Sequence, residues 1–263
     1  MHVEQIWTAN SYRNFNYLIA CPETGEALAV DPLDAGKCNT RARERGWRVT
    51  QILNTHEHGD HIGGNQAMVA ATAAIVIAHR AAGARIPHVD RGVGAGDIVT
   101  VGNSVELECL DTPGHTMTHI CLLSRTDPQA LFSGDTLFNA GAGNCHNGGH
   151  PRELYRTFVD QLAWLPDETL LYPGHDYLVN NLRFTLDREP DNVAAQAMLA
   201  KYGDQDPAHA HITDFAEERR INTFFRLDST EVIDGLKVHF PELGDAPNAE
   251  DVFLALRELR NNW

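Results

Sequence analysis

Apolar residues fall in two rhythms along this chain. Through the first two-thirds they come in short runs rich in Val, Ile and Leu, usually bounded by Gly, Asp, Asn or Pro. NYLIAC (16–21), EALAVD (26–31), VTQILN (49–54), AAIVIAH (73–79), DIVTVG (97–102), SVELECLDT (104–112), HICLLS (119–124), ALFSGD (130–135) and TLLYPG (169–174) read as β-strands. Helical spacing falls between them over 34–46, 60–71 and 152–164. After Gly174 the helical rhythm takes over, in 177–189, 191–203 and 249–263, with Pro190 and Gly203 as stops. The pattern predicts an α/β domain over residues 1–175 and a helical domain over residues 176–263. Helices interspersed among strands imply sheets covered by helices, while spacing leaves the strand order open. No internal repeat or low-complexity tract interrupts either rhythm.

Composition adds bounds. The 263 residues, 43% of them hydrophobic, suffice for one large domain or two smaller ones. Acidic residues outnumber basic ones 36 to 21, for a net charge of -15, which disfavours general nucleic-acid binding. The only lysines are Lys37, Lys201 and Lys237, so recognition of an anionic substrate falls to clustered arginines. No apolar run approaches the ~20 residues that a membrane span needs. The N-terminal MHVEQIWTAN has no basic stretch followed by an apolar core, so no signal peptide is expected. Five cysteines (21, 38, 109, 121 and 145), odd in number and without CxxC spacing, predict free thiols in a reducing cytoplasm.

The candidate chemistry starts at THEHGDH (55–61), directly after a strand-like run. His56 and His58 are two apart, and Asp60 and His61 are adjacent. In an irregular loop such spacing can aim one pair at one cation and the other at a second. A polar surface loop rich in His is the plain alternative, but further candidates stand at strand ends. His115 in DTPGHT, Asp135 in LFSGDTLF and His175 in LYPGHDY each follow a glycine. Five imidazoles and two carboxylates suit Zn, Fe or Mn. Glu57, between two candidates, is expected to point away. His209 and His211 in PAHAHI mimic the pair without a neighbouring Asp-His and read as a surface loop. Cys145 and His146 are adjacent, yet neighbouring side chains diverge, so a thiol–imidazole pair is not expected.

THEHGDHIGGN resembles the THxHxDH signature of the metallo-β-lactamase superfamily. FSGDTLFNAGAGNC, YPGHDYLVNNLRFTLDREPDN, NTFFR (222–226) and the ending VFLALRELRNNW resemble glyoxalase II, the hydroxyacylglutathione hydrolases, over nearly the whole chain. The resemblance implies a metallo-β-lactamase-like αββα sandwich with a helical C-terminal domain. It implies two divalent ions, Zn ahead of Fe or Mn: one held by His56, His58 and His115, the other by Asp60, His61 and His175, with Asp135 bridging. Asp60 and Asp135 thereby count as catalytic, the nucleophile being a metal-activated hydroxide that attacks the thioester carbonyl. No Ser or Cys nucleophile is needed, and FSGDT lacks the GxSxG elbow, so Ser133 reads as structural.

For substrate, Tyr177, Arg257 and Arg260 match the family's glutathione-binding positions, the two arginines sharing a helix face at i,i+3. The family usually has a Lys and a Tyr where this chain has Asn144 and His146, a difference that bears on glutathione recognition. The expected substrate is S-2-hydroxyacylglutathione or a related small thioester, handled by a monomer or homodimer without nucleic acid or membrane. The alternatives are a mononuclear iron persulfide dioxygenase and a hydrolase of another thioester, ester or lactone. An RNA-processing nuclease of the superfamily is disfavoured by the acidic balance.

Overall fold

The chain starts on a strand that the apolar rhythm does not announce. In the computed structural model, which describes all 263 residues, β1 (His2–Trp7) pairs antiparallel with β2 (Phe15–Ala20), Trp7 opposite Phe15. Only Ile6 of β1 is buried, so no continuous apolar run marks it. β3 (Glu26–Val30) continues antiparallel, and β4 (Arg48–Leu53), β5 (Ile75–His79) and β6 (Arg91–Val93) add in parallel, giving a six-stranded sheet in chain order.

The parallel steps need crossover helices. α1 (Ala35–Glu44) supplies the first; the Asp34 side chain caps it by accepting from the Lys37 amide. The expected helix over 60–71 is two helices, α2 (Gly59–Ile62) and α3 (Asn65–Thr72). The break falls at Gly63 and Gly64, where the backbone runs against another segment. A Cβ on Gly64 would lie 2.0 Å from the Pro32 carbonyl oxygen. Cys38 and Ala42 of α1 and Met68 of α3 bury against Leu18, Ala29, Ile52 and Val76 of the sheet.

A second sheet follows: β7 (Ile98–Val101), β8 (Val105–Asp111), β9 (Ile120–Ser124) and β10 (Ala130–Gly134). After it come the two-residue strands β11 (Leu137–Phe138) and β12 (Gly141–Ala142), which pair with each other. β13 (Leu170–Pro173) completes the five-stranded order β13-β10-β9-β8-β7. Every residue of β9 and β10 is buried, which is why their sequences are unbroken apolar runs.

The chain divides into two units. The first holds Met1–Thr112, Thr118–Gly134 and Tyr172–Asp176; the second holds Pro113–Met117, Asp135–Leu171 and Tyr177–Trp263. The second unit thus gathers the β11–β12 hairpin and α4 (Pro151–Asp160) with five helices: α5 (Leu178–Arg188), α6 (Val193–Tyr202), α7 (Phe215–Ile221), α8 (Thr230–Lys237) and α9 (Ala249–Asn261). The expected helix over 152–164 ends at Asp160 and passes into a single 3₁₀ turn, Leu162–Trp164. Neither α7 nor α8 has enough turns to show a period. Local capping defines them: Asp214 and Glu217 form a reciprocal box on α7, and Ser229 caps α8. In REPDN, buried Glu189 accepts two bonds from Arg226 and one from Ser229, and those donors hold its carboxyl below the usual range.

The hairpin is tied to the helices by a buried carboxylate. Glu218 accepts from the Ala140 amide at 2.9 Å, from Thr213 Oγ1 at 2.7 Å and from Asn222 Nδ2 at 3.0 Å. Asn181 Nδ2 donates to the Asn139 carbonyl beside it. Burial outweighs these donors and pushes Glu218 up to about 7, with Glu217 adding to the rise. Because the folded value lies above the unfolded one, its contribution to stability is fully present below about pH 4.5 and is lost as pH rises through 7. Glu218→Gln, neutral throughout, should therefore gain on the wild type between pH 5 and pH 8, by on the order of 3 kcal/mol. Paired thermal melts across that range check it; a flat or reversed difference means that burial does not hold Glu218 protonated.

Candidate metal centre

Four of the candidate ligands, His56, His58, Asp60 and His61, leave the end of β4 together in the first unit. His175 stands in the same unit, just beyond β13. Asp31, at the end of β3, organises the loop. One of its oxygens accepts from the Thr55 amide at 2.8 Å; the other accepts from Thr55 Oγ1 at 2.6 Å and from His61 Nδ1 at 2.9 Å. A carboxylate can only accept from a neutral imidazole, so His61 carries its proton on Nδ1 and its lone pair on Nε2. His175 is set the same way, with Nδ1 donating to the Tyr12 carbonyl at 2.7 Å.

The two Nε2 atoms lie 3.3 Å apart. Asp60 Oδ2 lies 3.7 Å from that of His61 and 3.5 Å from that of His175. Lone pairs so placed repel unless a cation joins them, and three donors at these separations can all sit about 2.0–2.2 Å from one ion. Asn14 Nδ2 fixes the carboxylate by donating to Asp60 Oδ2 at 3.1 Å. His56 repeats the pattern. Its Nδ1 meets Thr55 Oγ1 at 3.0 Å, the hydroxyl proton being already given to Asp31, so its Nε2 is presented 3.0 Å from His58 Nδ1. Asp31 stands close enough to His56 and His61 to be counted with them as a ligand group. Its oxygens already accept from three donors, which places it to orient His61 and Thr55.

In the second unit His115 Nδ1 donates to the Asn144 carbonyl at 2.7 Å, leaving Nε2 3.5 Å from Asp135 Oδ2. The donor set as a whole, imidazoles and carboxylates with no sulfur, fits divalent Zn, Fe or Mn. Glu57 accepts from Thr118 Oγ1 at 2.8 Å and faces Arg85 at 3.4 Å, away from this set. His209 is an exposed partner of Asp206, and His211 stacks on Tyr202 beside Glu217; neither gathers further donors of the ligand kind.

Sequence reading missed Asp31, Tyr12 and Asn14. Asp31 has φ +46°, a left-handed conformation unfavourable for a side-chain-bearing residue. EALAVDP, with an acid between a strand and a proline, was the available signal; Tyr12 acts through its carbonyl, which no residue type reveals. Asp31→Asn should weaken divalent-metal binding by about 10–100-fold, since an amide cannot accept at both positions. Competition against a chelator measures it, and unchanged affinity would show that His61 is oriented by something else.

The expected substrate residues gather in the second unit around a cavity of about 250 Å³ lined by Asn144, His146, Tyr177, Asn181 and Arg260. Tyr177 packs edge-on against Phe138. Arg260 is partly buried, donates to Asn181 Oδ1 at 3.3 Å and lies between the Phe184 and Trp263 rings. Arg257 lines the same cavity but is the more deeply buried of the two arginines. It is only 4% exposed, and its Nη1 donates to the carbonyls of Ala142 and Gly143 at 2.7 and 3.0 Å. The i,i+3 offset leaves about 60° between the two side chains, enough to turn one inward. Burial pushes the Arg257 pKa down to about 10, still well above neutral. Burial pushes the Cys145 thiol up to about 11, so it stays protonated at neutral pH.

Residues 15–175 match the Metallo-beta-lactamase superfamily, and residues 176–263 match the Hydroxyacylglutathione hydrolase C-terminus. The whole chain is 65% identical to the whole of a hydroxyacylglutathione hydrolase from Polaromonas sp. (strain JS666 / ATCC BAA-500). It is 61% identical, again over the full length of both, to a hydroxyacylglutathione hydrolase from Nitrosococcus oceani. Among solved structures, ETHE1 from Myxococcus xanthus superposes with a TM-score of 0.68 at 28% identity, over 99% of this chain and 98% of that one.

Proposed function

Because the chain belongs to the hydroxyacylglutathione hydrolases of the metallo-β-lactamase superfamily, and is a thioester hydrolase of that fold with a C-terminal helical region, we propose that it cleaves S-2-hydroxyacylglutathione, of the S-lactoylglutathione kind, to glutathione and a 2-hydroxy acid. The His/Asp clusters and the family suggest a dinuclear metal site. Its finer assignment is His56, His58 and His115 for one ion, Asp60, His61 and His175 for the other, and Asp135 shared. The observation that carries it is the pinning of His61, His175 and His115 through Nδ1 by groups that can only accept, which leaves three Nε2 lone pairs for cations. The chemistry such a pair supplies when bound is acidification of a water and polarisation of the thioester carbonyl.

The protein's own part is to hold these donors fixed and to bind the thiol carrier. Asn14 locks the Asp60 carboxylate, and Asp31 and the Tyr12 carbonyl lock two ring planes, so little reorganisation accompanies reaction. Arg260 offers the charge for the glycine carboxylate, with Tyr177 and the Asn144–His146 loop around it. Arg257 supports that loop by holding the 142 and 143 carbonyls. The five cysteines are free thiols, and no helix is long and apolar enough to cross a membrane.

Metal analysis of purified protein, alongside a thioester panel, tests the reading, with oxygen uptake on glutathione persulfide as the contrasting assay. Two ions per chain with thioester turnover and no oxygen uptake is the expected result; oxygen uptake with one iron overturns it. Arg260→Ala should raise KM for S-lactoylglutathione about tenfold and spare kcat, because a carboxylate remote from the scissile bond is held equally in ground and transition states. An unchanged KM removes Arg260 from the thiol site.

A further inference from the structure

A larger cavity, of about 490 Å³, opens in the second unit and shares His146, Arg257 and Asn261 with the smaller one. One side of it is a single face of α9, where Leu254, Arg257, Glu258 and Asn261 recur at helical spacing. The opposite lining includes His150 and Arg152 at the start of α4.

The two cavities differ in charge pattern. The smaller has two arginines, Arg257 and Arg260, and no acid, which suits a lone carboxylate. The larger carries both signs: Arg152, with the imidazoles of His146 and His150, and the carboxylate of Glu258. Arg152 pairs with Glu250 through Nη1; a guanidinium has five N–H donors, so others are left. A cavity lined by a cation and an anion complements a group that bears an ammonium and a carboxylate on one carbon.

Glutathione has such a group at one end only. Its glycine end is a bare carboxylate on a short arm; its γ-glutamyl end is an amino-acid zwitterion on a longer arm. We propose that the larger cavity is a subsite for the γ-glutamyl end of the thiol, with Glu258 receiving the ammonium and Arg152 the carboxylate. This deepens, and rests on, the reading of the substrate as a glutathione thioester. The glycine arm enters the smaller cavity toward Arg260, and the two arms part at the shared wall. Arg152 and Glu258 are then specificity residues for the thiol, contributing binding and no chemistry.

The test crosses two substrates with three enzymes. S-Lactoylglutathione and S-lactoyl-N-acetylcysteinylglycine, in which an acetyl group replaces the γ-glutamyl group and blocks S-to-N acyl transfer, are compared on the wild type, Arg152→Ala and Glu258→Gln, all metal-loaded. Removing the γ-glutamyl group should raise the wild-type KM about tenfold at nearly constant kcat. Each variant should raise KM severalfold for the full thioester and leave it unchanged for the truncated one. Both side chains are solvent-accessible, so the melting temperatures should match the wild type. Equal wild-type KM values for the two thioesters overturn the subsite, as do variants that raise both KM values alike. Failure of the parent reading looks different: the wild type, with its metals in place, would turn over neither thioester.

Discussion

Asp135→Ala is expected to fold, to retain at most one divalent ion per chain, and to lose about three orders of magnitude in kcat. The size follows from the role proposed for it. Groups that merely orient a ligand typically cost 10–100-fold when removed, and a carboxylate shared by two ions has to exceed that. Asp135 is 7% exposed and leaves β10 immediately after Gly134, its Oδ2 3.5 Å from His115 Nε2. No other acid among the proposed ligands is assigned to both ions. Metal content by elemental analysis, with circular dichroism to establish folding, decides the matter. Two ions and near-normal turnover in a folded Asp135→Ala protein would end the bridging assignment.

Gly134→Ala should cost about 3 kcal/mol, the sum of a left-handed backbone penalty of ~1–2 kcal/mol and overpacking of ~1–3 kcal/mol. Gly134 has φ +46°, and a Cβ there would stand 2.6 Å from Thr55 Oγ1 and 2.7 Å from His119 Nε2. Neither neighbour can retreat cheaply. Thr55 is held by Asp31 through both its amide and its hydroxyl, and buried His119 bonds to Thr112 and stacks on His56. For a chain of this size the loss corresponds to a drop of roughly 10 °C in Tm. Metal affinity should fall as well, because displaced Thr55 releases both Asp31 and His56. A Tm within about 2 °C of the wild type, with full metal content, would show that the strand end can shift to admit the methyl group.

Gly134 also shows how far residue patterns reach. SGDT marks a turn with an acid beside it, and the apolar ALF before it marks a buried strand; both features are local and both were legible. The same holds for β9 and α5, whose rhythms run long enough to be read, and for His56, His58, Asp60 and His61, which one loop delivers together. β1, α7 and α8 were not legible. β1 buries only Ile6, and the two helices are defined by caps and burial rather than by period. The second unit also takes in the β11–β12 hairpin and α4, because Glu218, Asn181 and Asn222 tie the hairpin to α5 and α7 through bonds that span 42 to 81 residues.

By itself the sequence determined the inventory of candidate ligands, the strand-rich first part and the helical second part, since each depends on residue type and near-neighbour spacing. Tertiary structure decided the rest. It chose which nitrogen each imidazole presents, because the proton goes wherever a distant acceptor stands: Asp31 for His61, 30 residues away, and the Tyr12 carbonyl for His175, 163 residues away. It also gave Arg257 and Arg260 different surroundings. Both lie on one helix, both are cations and both line the smaller cavity, but packing buried the first against the backbone carbonyls of Ala142 and Gly143 and left the second partly exposed. A side chain's chemistry is written at its own position; its partner and its solvent exposure are set by whatever the fold brings beside it.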